Sequence, residues 1–334
     1  MVFLIAEIGQ AHDGSLGILH SYIEALSGTG INAIKFQTHV ADAESSRFEP
    51  FRVKFSYVDK TRYDYWKRME FSSEQWHEIR RHCDEVGLEF MSSPFSVAAV
   101  ELLEQVGVQR YKVGSGEVSN HLLLTRMART GKPVVLSSGM SSFHELDSAV
   151  QLLKGHDVDL SILQCTTQYP TTAENVGLNV ISELRSRYSL PVGFSDHSGT
   201  IFPSLAATAL GAEIVEFHAC FDRRCFGPDS TASLTIDEMS QLVDGVRFLE
   251  TALMNPVDKS QASQFQQLKS VFGKSLAVNK DLHSGHVLEF ADLEGKKPAN
   301  HGIAASRYRD VIGRTLVKDL RKWDFLTTDS WKNE

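Results

Sequence analysis

The sequence predicts a (β/α)₈ barrel followed by a small, mostly-β domain, and three observations carry the prediction. Eight short β-branched or apolar runs alternate with longer amphipathic segments over 1–255. Each run ends in polar or ionisable residues where core filler would be apolar. After Met254-Asn255-Pro256 the alternation stops, and a polar, Gln/Ser-rich stretch begins.

In chain order the predicted strands are Phe3–Glu7, Ala33–Gln37, Glu89–Ser93, Arg110–Val113, Pro133–Ser137, Leu160–Gln164, Pro191–Ser195 and Ile214–His218. Between them, helical spacing of apolar residues marks Leu16–Ser27, Ser73–Val86, Ala98–Gln105, Ser141–Leu153 and Ile236–Leu253. Ser73 before Glu74, Ser142 before Glu145 and Thr235 before Asp237 supply helix starts. Gly87, Gly107, Gly131 and Gly211 close helices just ahead of the next strand. Periodicity alone also allows an open doubly wound sheet, but eight strand–helix units is the count of a closed barrel.

Residues 1–255 are therefore the expected barrel domain, 256–270 a linker and 271–334 a second domain of short strands and turns. The second domain echoes itself as D-L-x5-L, once at Asp281-Leu282 with Leu288 and again at Asp319-Leu320 with Leu326. A duplicated unit this small buries little surface by itself and is expected to pack on the barrel.

A net charge of -8 leaves no basic footprint for nucleic acid, and no Lys/Arg run suggests a membrane surface. The four cysteines form no CxxC pair, which argues against a zinc ribbon or a disulfide framework. The apolar start before Glu7 is too short for a signal peptide, and no run reaches the ~18 apolar residues that span a bilayer. The expectation is a soluble cytoplasmic protein with neither nucleic acid nor membrane as partner. In an acidic chain, an anionic substrate requires positive charge concentrated in one site, which directs attention to lysines inside strands.

Barrel enzymes place their chemistry where strands end. Those positions read Glu7; Lys35 and Gln37; Ser93; Lys112, Ser115 and Glu117; Ser137; Thr167 and Tyr169; Ser195, Asp196 and His197; Glu216 and His218. Lys35 and Lys112, joined by the hydroxyls of Ser93, Ser115, Ser137 and Ser195, make a phosphate cradle. The competing readings are solvent-facing lysines or a buried Schiff-base lysine. His197 and His218 end consecutive strands, within reach of one Mn, Co, Fe or Zn ion, with Glu216 and Asp196 nearby. A hydrogen-bonded structural pair is the plain alternative. Glu7 either braces the barrel mouth or holds and deprotonates a reacting hydroxyl or water.

These strand ends spell a longer pattern. IAEIGQAHDGS (5–15), IKFQT (34–38), SSPF (92–95), YKVGSGE (111–117), LSSGM (136–140), CTTQYPT (165–171), FSDHSG (194–199), EFH (216–218) and FGPD (226–229) resemble the sialic acid synthase family. VFGKSLAVNKDLHSGHVL, KKPANHGI and DVIGR resemble that family's antifreeze-like (SAF) domain. The SSPF and SDH forms look more like bacterial enzymes acting on a free sugar than animal enzymes acting on a 6-phosphate.

The resemblance implies a (β/α)₈ barrel, a β-clip SAF domain and a domain-swapped homodimer. It implies that His197 and His218 hold a divalent ion, Mn2+ foremost, with Mg2+ or Co2+ as alternatives. Lys35, Ser93, Lys112, Ser115, Ser137 and Ser195 would bind phosphoenolpyruvate. Gln37, Tyr169, Asp196, Glu216 and Asp229 would line the sugar side, with Glu117, Thr167 and Lys297 also at the substrates and Glu7 as the catalytic carboxylate. The implied reaction condenses phosphoenolpyruvate with an open-chain N-acyl amino sugar and releases phosphate by C–O cleavage.

Three positions depart from the family pattern: Thr167 replaces the Asn of C-T-N-x-Y-P, Lys297-Pro298-Ala299 replaces R-P-G, and Ala11 replaces an Asn before His12. Arg and Lys differ as carbonyl donors, so the acceptor stays open between N-acetylmannosamine and a 2,4-diacetamido-trideoxyhexose, the precursor of legionaminic or pseudaminic acid. The rival classes are a Schiff-base aldolase, a non-catalytic carbohydrate- or ice-binding protein built around the SAF module, and a related synthase using arabinose 5-phosphate or erythrose 4-phosphate.

Overall fold

The computed structural model describes residues 1–53 and 56–332, so 333 and 334, the end of the expected second domain, lie outside the described residues. The chain divides into two compact units, Met1–Asn255 and Pro256–Glu334.

In the first unit eight parallel strands run in sequence order: β1 Phe3–Glu7, β2 Ala33–Thr38, β3 Glu89–Pro94, β4 Tyr111–Val113, β5 Val134–Ser137, β6 Leu160–Cys165, β7 Val192–Asp196 and β8 Ile214–Cys220. Strand β1 pairs with both β2 and β8, so the sheet closes into the predicted (β/α)₈ barrel. A short β9, Leu234–Thr235, extends β8.

Side chains on a strand alternate between the barrel interior and the surrounding helices. The outward set packs with the helices into the main hydrophobic core, including Leu4, Ile34, Phe36, Phe90 and Phe217. The inward set forms two tiers. Ile5, Ala33, Met91, Val135, Leu163 and Ile214 plug the lower barrel as one apolar cluster. Two residues further along the same strands stand Glu7, Lys35, Ser93, Ser137 and Glu216. Gly193 serves the lower tier by leaving room, since a Cβ there would lie 2.3 Å from the Ile214 carbonyl and 2.5 Å from Leu163.

The expected helices are present, and further helices occur in the first unit, among them Arg62–Met69, His121–Ala128, Asn179–Tyr188 and Phe202–Ala209. Capping boxes start several of them. Ser142 pairs with Glu145 and Thr235 with Glu238. The helix Ser73–Glu85 is capped by Ser72 with Gln75, one residue earlier than the sequence suggests, because Ser73 already has helical backbone. Among the described residues no helix is long and apolar enough to cross a membrane.

In the second unit, part of the stretch read as a linker is ordered as a 3₁₀ turn at Ser263–Phe265 and a helix at Gln266–Phe272. Strand β10, Ser275–Val278, pairs antiparallel with β11, Leu293–Lys296. The repeated D-L-x5-L segments face each other. Leu282 and Leu320 exchange both backbone hydrogen bonds at 2.8 Å. Asp281 accepts from the Lys322 amide at 2.7 Å, and Asp319 accepts in return from the Ser284 amide at 2.8 Å. Leu282, Leu288, Leu320 and Leu326 share one small core, so the echo in the sequence is a duplicated unit closed on itself.

Candidate active site

The upper tier of the barrel opens into a cavity of about 320 Å³. Lys35 and Lys112 are 4% and 3% exposed, which rules out solvent-facing lysines. Lys35 Nζ lies 2.5 Å from Glu7 Oε2, 3.8 Å from Glu216 Oε2 and 3.4 Å from Ser93 Oγ, to which it donates. Lys112 Nζ donates to Ser137 Oγ at 2.7 Å and lies 3.3 Å from Glu216 Oε1, which also accepts from Ser195 Oγ at 2.9 Å.

Two lysines thus face two carboxylates, on strands β1, β2, β4 and β8. Burial opposes every charge in this group. For Lys35 the Glu216 and Glu7 carboxylates outweigh burial and hold the ammonium above its ordinary value. For Glu216, Lys112 and Lys35 together with the Ser195 hydroxyl outweigh burial and hold the carboxyl at about 2.

The histidines ending β7 and β8 converge. The His197 and His218 ring centroids are 5.2 Å apart, and the Tyr169 ring lies 4.5 Å from the first and 5.9 Å from the second. His197 Nδ1 is buried without a hydrogen-bond partner. Burial, then the neighbouring His218, keeps His197 neutral, well below its usual pKa. Burial raises the Tyr169 phenol and keeps its proton on. Over this ring lies the Arg52 guanidinium, 4.3 Å from its centroid, which also donates to Asp229 Oδ1 at 2.8 Å.

Glycines let the walls approach. A Cβ on Gly9 (φ +53°) would sit 3.5 Å from Glu7 Oε1, 3.6 Å from Gln37 Nε2 and 3.7 Å from His218 Nδ1, so these three polar atoms surround one point. A Cβ on Gly139 would fall 1.8 Å from Ser115 Oγ, and the Gly139 amide donates to Cys165 Sγ at 3.2 Å. Cys165 in turn lies 3.3 Å from Ser115 Oγ, fixing that hydroxyl.

Of the residues singled out in the sequence, Glu7, Lys35, Gln37, Ser93, Lys112, Ser115, Ser137, Thr167, Tyr169, Ser195, His197, Glu216, His218 and Asp229 line the cavity. Three do not. Asp196 has the outward parity of β7; its carboxylate accepts from the Ser198 amide and the Ser204 hydroxyl, bracing the helix Phe202–Ala209. Glu117 ends the 3₁₀ turn Ser115–Glu117 and accepts from Asn120 Nδ2 at 2.7 Å. Lys297 belongs to the second unit, where its ammonium lies 5.0 Å from the Phe272 ring centroid. The cavity also gains Gln10, Phe95 and Met140, which fall inside the motifs at 5–15, 92–95 and 136–140, and Arg52, Arg62 and Trp66, which come from a segment without strand alternation.

With this geometry in view, comparison with known proteins is specific. A family model described as the NeuB family matches residues 22–258. The chain is 31% identical, over 96% of its length and 97% of the relative's, to N,N'-diacetyllegionaminic acid synthase of Campylobacter jejuni. It is 33% identical to N-acetylneuraminate-9-phosphate synthase of Homo sapiens, over 96% of this chain and 90% of that one. Among solved structures, the N-acetylneuraminic acid (sialic acid) synthetase of Leptospira borgpetersenii in complex with citrate superposes with a TM-score of 0.71 at 30% identity, covering 80% of this chain and 90% of that one.

Proposed function

The chain belongs to the NeuB family, and on that premise we propose that it is a nonulosonic acid synthase joining phosphoenolpyruvate to an open-chain N-acyl amino sugar. The observation that carries the reading is the pair of buried lysines, set among strand-end hydroxyls in the same cavity as the two convergent histidines. Lys35 and Lys112, with Ser93, Ser115, Ser137 and Ser195, clamp the phosphate and carboxylate of phosphoenolpyruvate. Lys35 is held protonated, whereas a Schiff base requires a neutral amine, which favours the clamp over the aldolase reading.

The site suits a divalent cation. His197 offers a buried, unpartnered ring nitrogen on a neutral imidazole, and His218 is its neighbour. Held by these two imidazoles, a cation would keep positions for water and substrate. Mn2+ is the ion of choice, with Mg2+ or Co2+ as alternatives. A bound cation would supply Lewis acidity toward the sugar aldehyde.

The protein's own residues do the rest. The clamp aims C3 of phosphoenolpyruvate at the aldehyde carbon; the C2=C3 π pair forms the new C–C bond, the aldehyde oxygen keeps the C=O π pair and takes a proton from solvent, and C2 is left cationic. Glu7, oriented by Gln37 at 2.7 Å, takes a proton from the water that captures C2. The tetrahedral intermediate then breaks its C–O bond and releases phosphate. Gln37, Thr167, Tyr169 and Asp229 line the sugar side, with Tyr169 presenting a protonated phenol. In this reading the second unit is a SAF domain that brings Lys297 to a partner's barrel in a swapped homodimer, and the enzyme works in the cytoplasm on N-acetylmannosamine or a 2,4-diacetamido-trideoxyhexose.

The test is phosphate release from phosphoenolpyruvate with N-acetylmannosamine, its 6-phosphate, 2,4-diacetamido-2,4,6-trideoxymannose and the altrose isomer, each with Mn2+ and with EDTA. Turnover of one sugar that EDTA abolishes supports the reading and names the acceptor. Silence from folded, Mn2+-bound protein overturns it.

A further inference from the structure

His39 stands one residue beyond β2, at the parity that turns Lys35 and Gln37 inward. Its side chain is 2% exposed and lies flat between two cavity-lining rings. The Trp66 centroid is 3.8 Å away at 21°, and the Phe95 centroid 4.6 Å away at 10°. Each ring nitrogen meets an acceptor: Nδ1 is 2.6 Å from Glu44 Oε1, and Nε2 is 3.2 Å from Gln37 Oε1.

The Gln37 amide has one workable orientation. Its Nε2 donates to Glu7 Oε1 at 2.7 Å, and its Oε1 also accepts from Gln10 Nε2. A flipped amide would set oxygen against the Glu7 carboxylate and NH₂ against that of Gln10. Gln37 Oε1 is thus an acceptor, so His39 Nε2 carries a proton and donates to it. The Glu44 carboxyl is also nearly buried, with Oε2 lacking a hydrogen bond, and its Oε1 holds His39 Nδ1.

We propose that His39 is a positioning residue: its imidazole, held by Glu44 between Trp66 and Phe95, donates from Nε2 to the Gln37 carbonyl and thereby fixes the Glu7 carboxylate. With Gln37 on one oxygen and Lys35 on the other, Glu7 has no rotational freedom left. The other titratable neighbours are His12, Arg62 and Glu117. His12 is neutral, pushed to about 3 by burial first and then by His39 and Arg68. Arg62 lies 4.1 Å from the Trp66 centroid, and Glu117 is raised by burial first and then by Glu44. The role assigned to Glu7 rests on the proposed function; the Nε2–H of His39 does not.

The test is nitrogen NMR of the full chain carrying ¹⁵N-labelled histidine at pH 7.5 without substrate, with His39 assigned by its loss in His39→Phe. A proton on His39 Nε2 is expected, and an Nε2 without one overturns the proposal. His39→Phe keeps the stack and removes the Nε2 donor. It is expected to lower kcat by about 10–100-fold while the KM for phosphoenolpyruvate moves by less than about threefold. Glu44→Gln carries the same kinetic readout should His39→Phe not fold, and is expected to lower kcat. Wild-type kcat in either variant overturns the positioning role. The nitrogen shifts decide the clamp even if the wild type turns over none of the sugars.

Discussion

Replacing Glu216 by Gln removes one negative charge from a buried set of two lysines and two carboxylates. Its carboxyl is displaced from 4.5 to about 2: burial pushes it up, but Lys112, Lys35 and the Ser195 hydroxyl pull it further down. At about 1.4 kcal/mol per pH unit, that displacement corresponds to roughly 3 kcal/mol of folding stability. Because the folded value is depressed, the contribution is complete above pH 4.5 and is lost as pH falls toward about 2. Glu216→Gln lacks it at neutral pH, so its melting temperature is expected to fall by roughly 6–12 °C at pH 7. The gap to wild type then closes as both are melted at successively lower pH. Saturating phosphoenolpyruvate is expected to raise the variant's melting temperature more than the wild type's, because its anionic groups meet lysines with fewer competing carboxylates. A gap that stays constant from pH 7 to pH 2.5 would show that the loss is one of packing, and would refute the electrostatic account of the site.

Three other variants probe separate parts of the cavity. Lys112→Met loses the ion pair to Glu216 and the bond to Ser137, so steady-state kinetics are expected to show a KM for phosphoenolpyruvate raised about 10²-fold or more. Gly139→Ala would place its Cβ 1.8 Å from Ser115 Oγ, so that hydroxyl is expected to be driven out of the clamp. The KM for phosphoenolpyruvate then rises while that for the sugar holds. His197→Ala is expected to weaken Mn2+ binding in calorimetry and to cut turnover about 10³-fold, with an unchanged circular dichroism spectrum.

The barrel is legible in the sequence because its strands are short, apolar and evenly spaced; all eight fall within two residues of their expected ends. Helices without strong cues escaped. Asn179–Tyr188 and Phe202–Ala209 have no side-chain N-cap bond, and the latter is rich in Ala, Ser and Thr rather than large apolar residues. Inward parity separates residues that line the cavity from a neighbour that does not. Lys35, Ser93, Ser195, Glu216 and His218 hold inward positions, whereas Asp196 takes the outward one and braces a helix. The same rule, carried two residues past Gln37, would have found His39. Arg52, Arg62 and Trp66 reach the cavity from the segment between β2 and β3, where no strand alternation exists to point at them. At Glu117 the sequence neighbours give no orientation: the turn that delivers Ser115 to the cavity turns Glu117 toward Asn120.

The most direct test of the central claim follows the bridging oxygen of phosphoenolpyruvate. With ¹⁸O at that position and the sugar that turns over, the account predicts that the label leaves in inorganic phosphate, seen as an isotope-shifted ³¹P resonance, with none in the product. Label retained at C2 of the product, with unlabelled phosphate, would mean P–O cleavage and would contradict it.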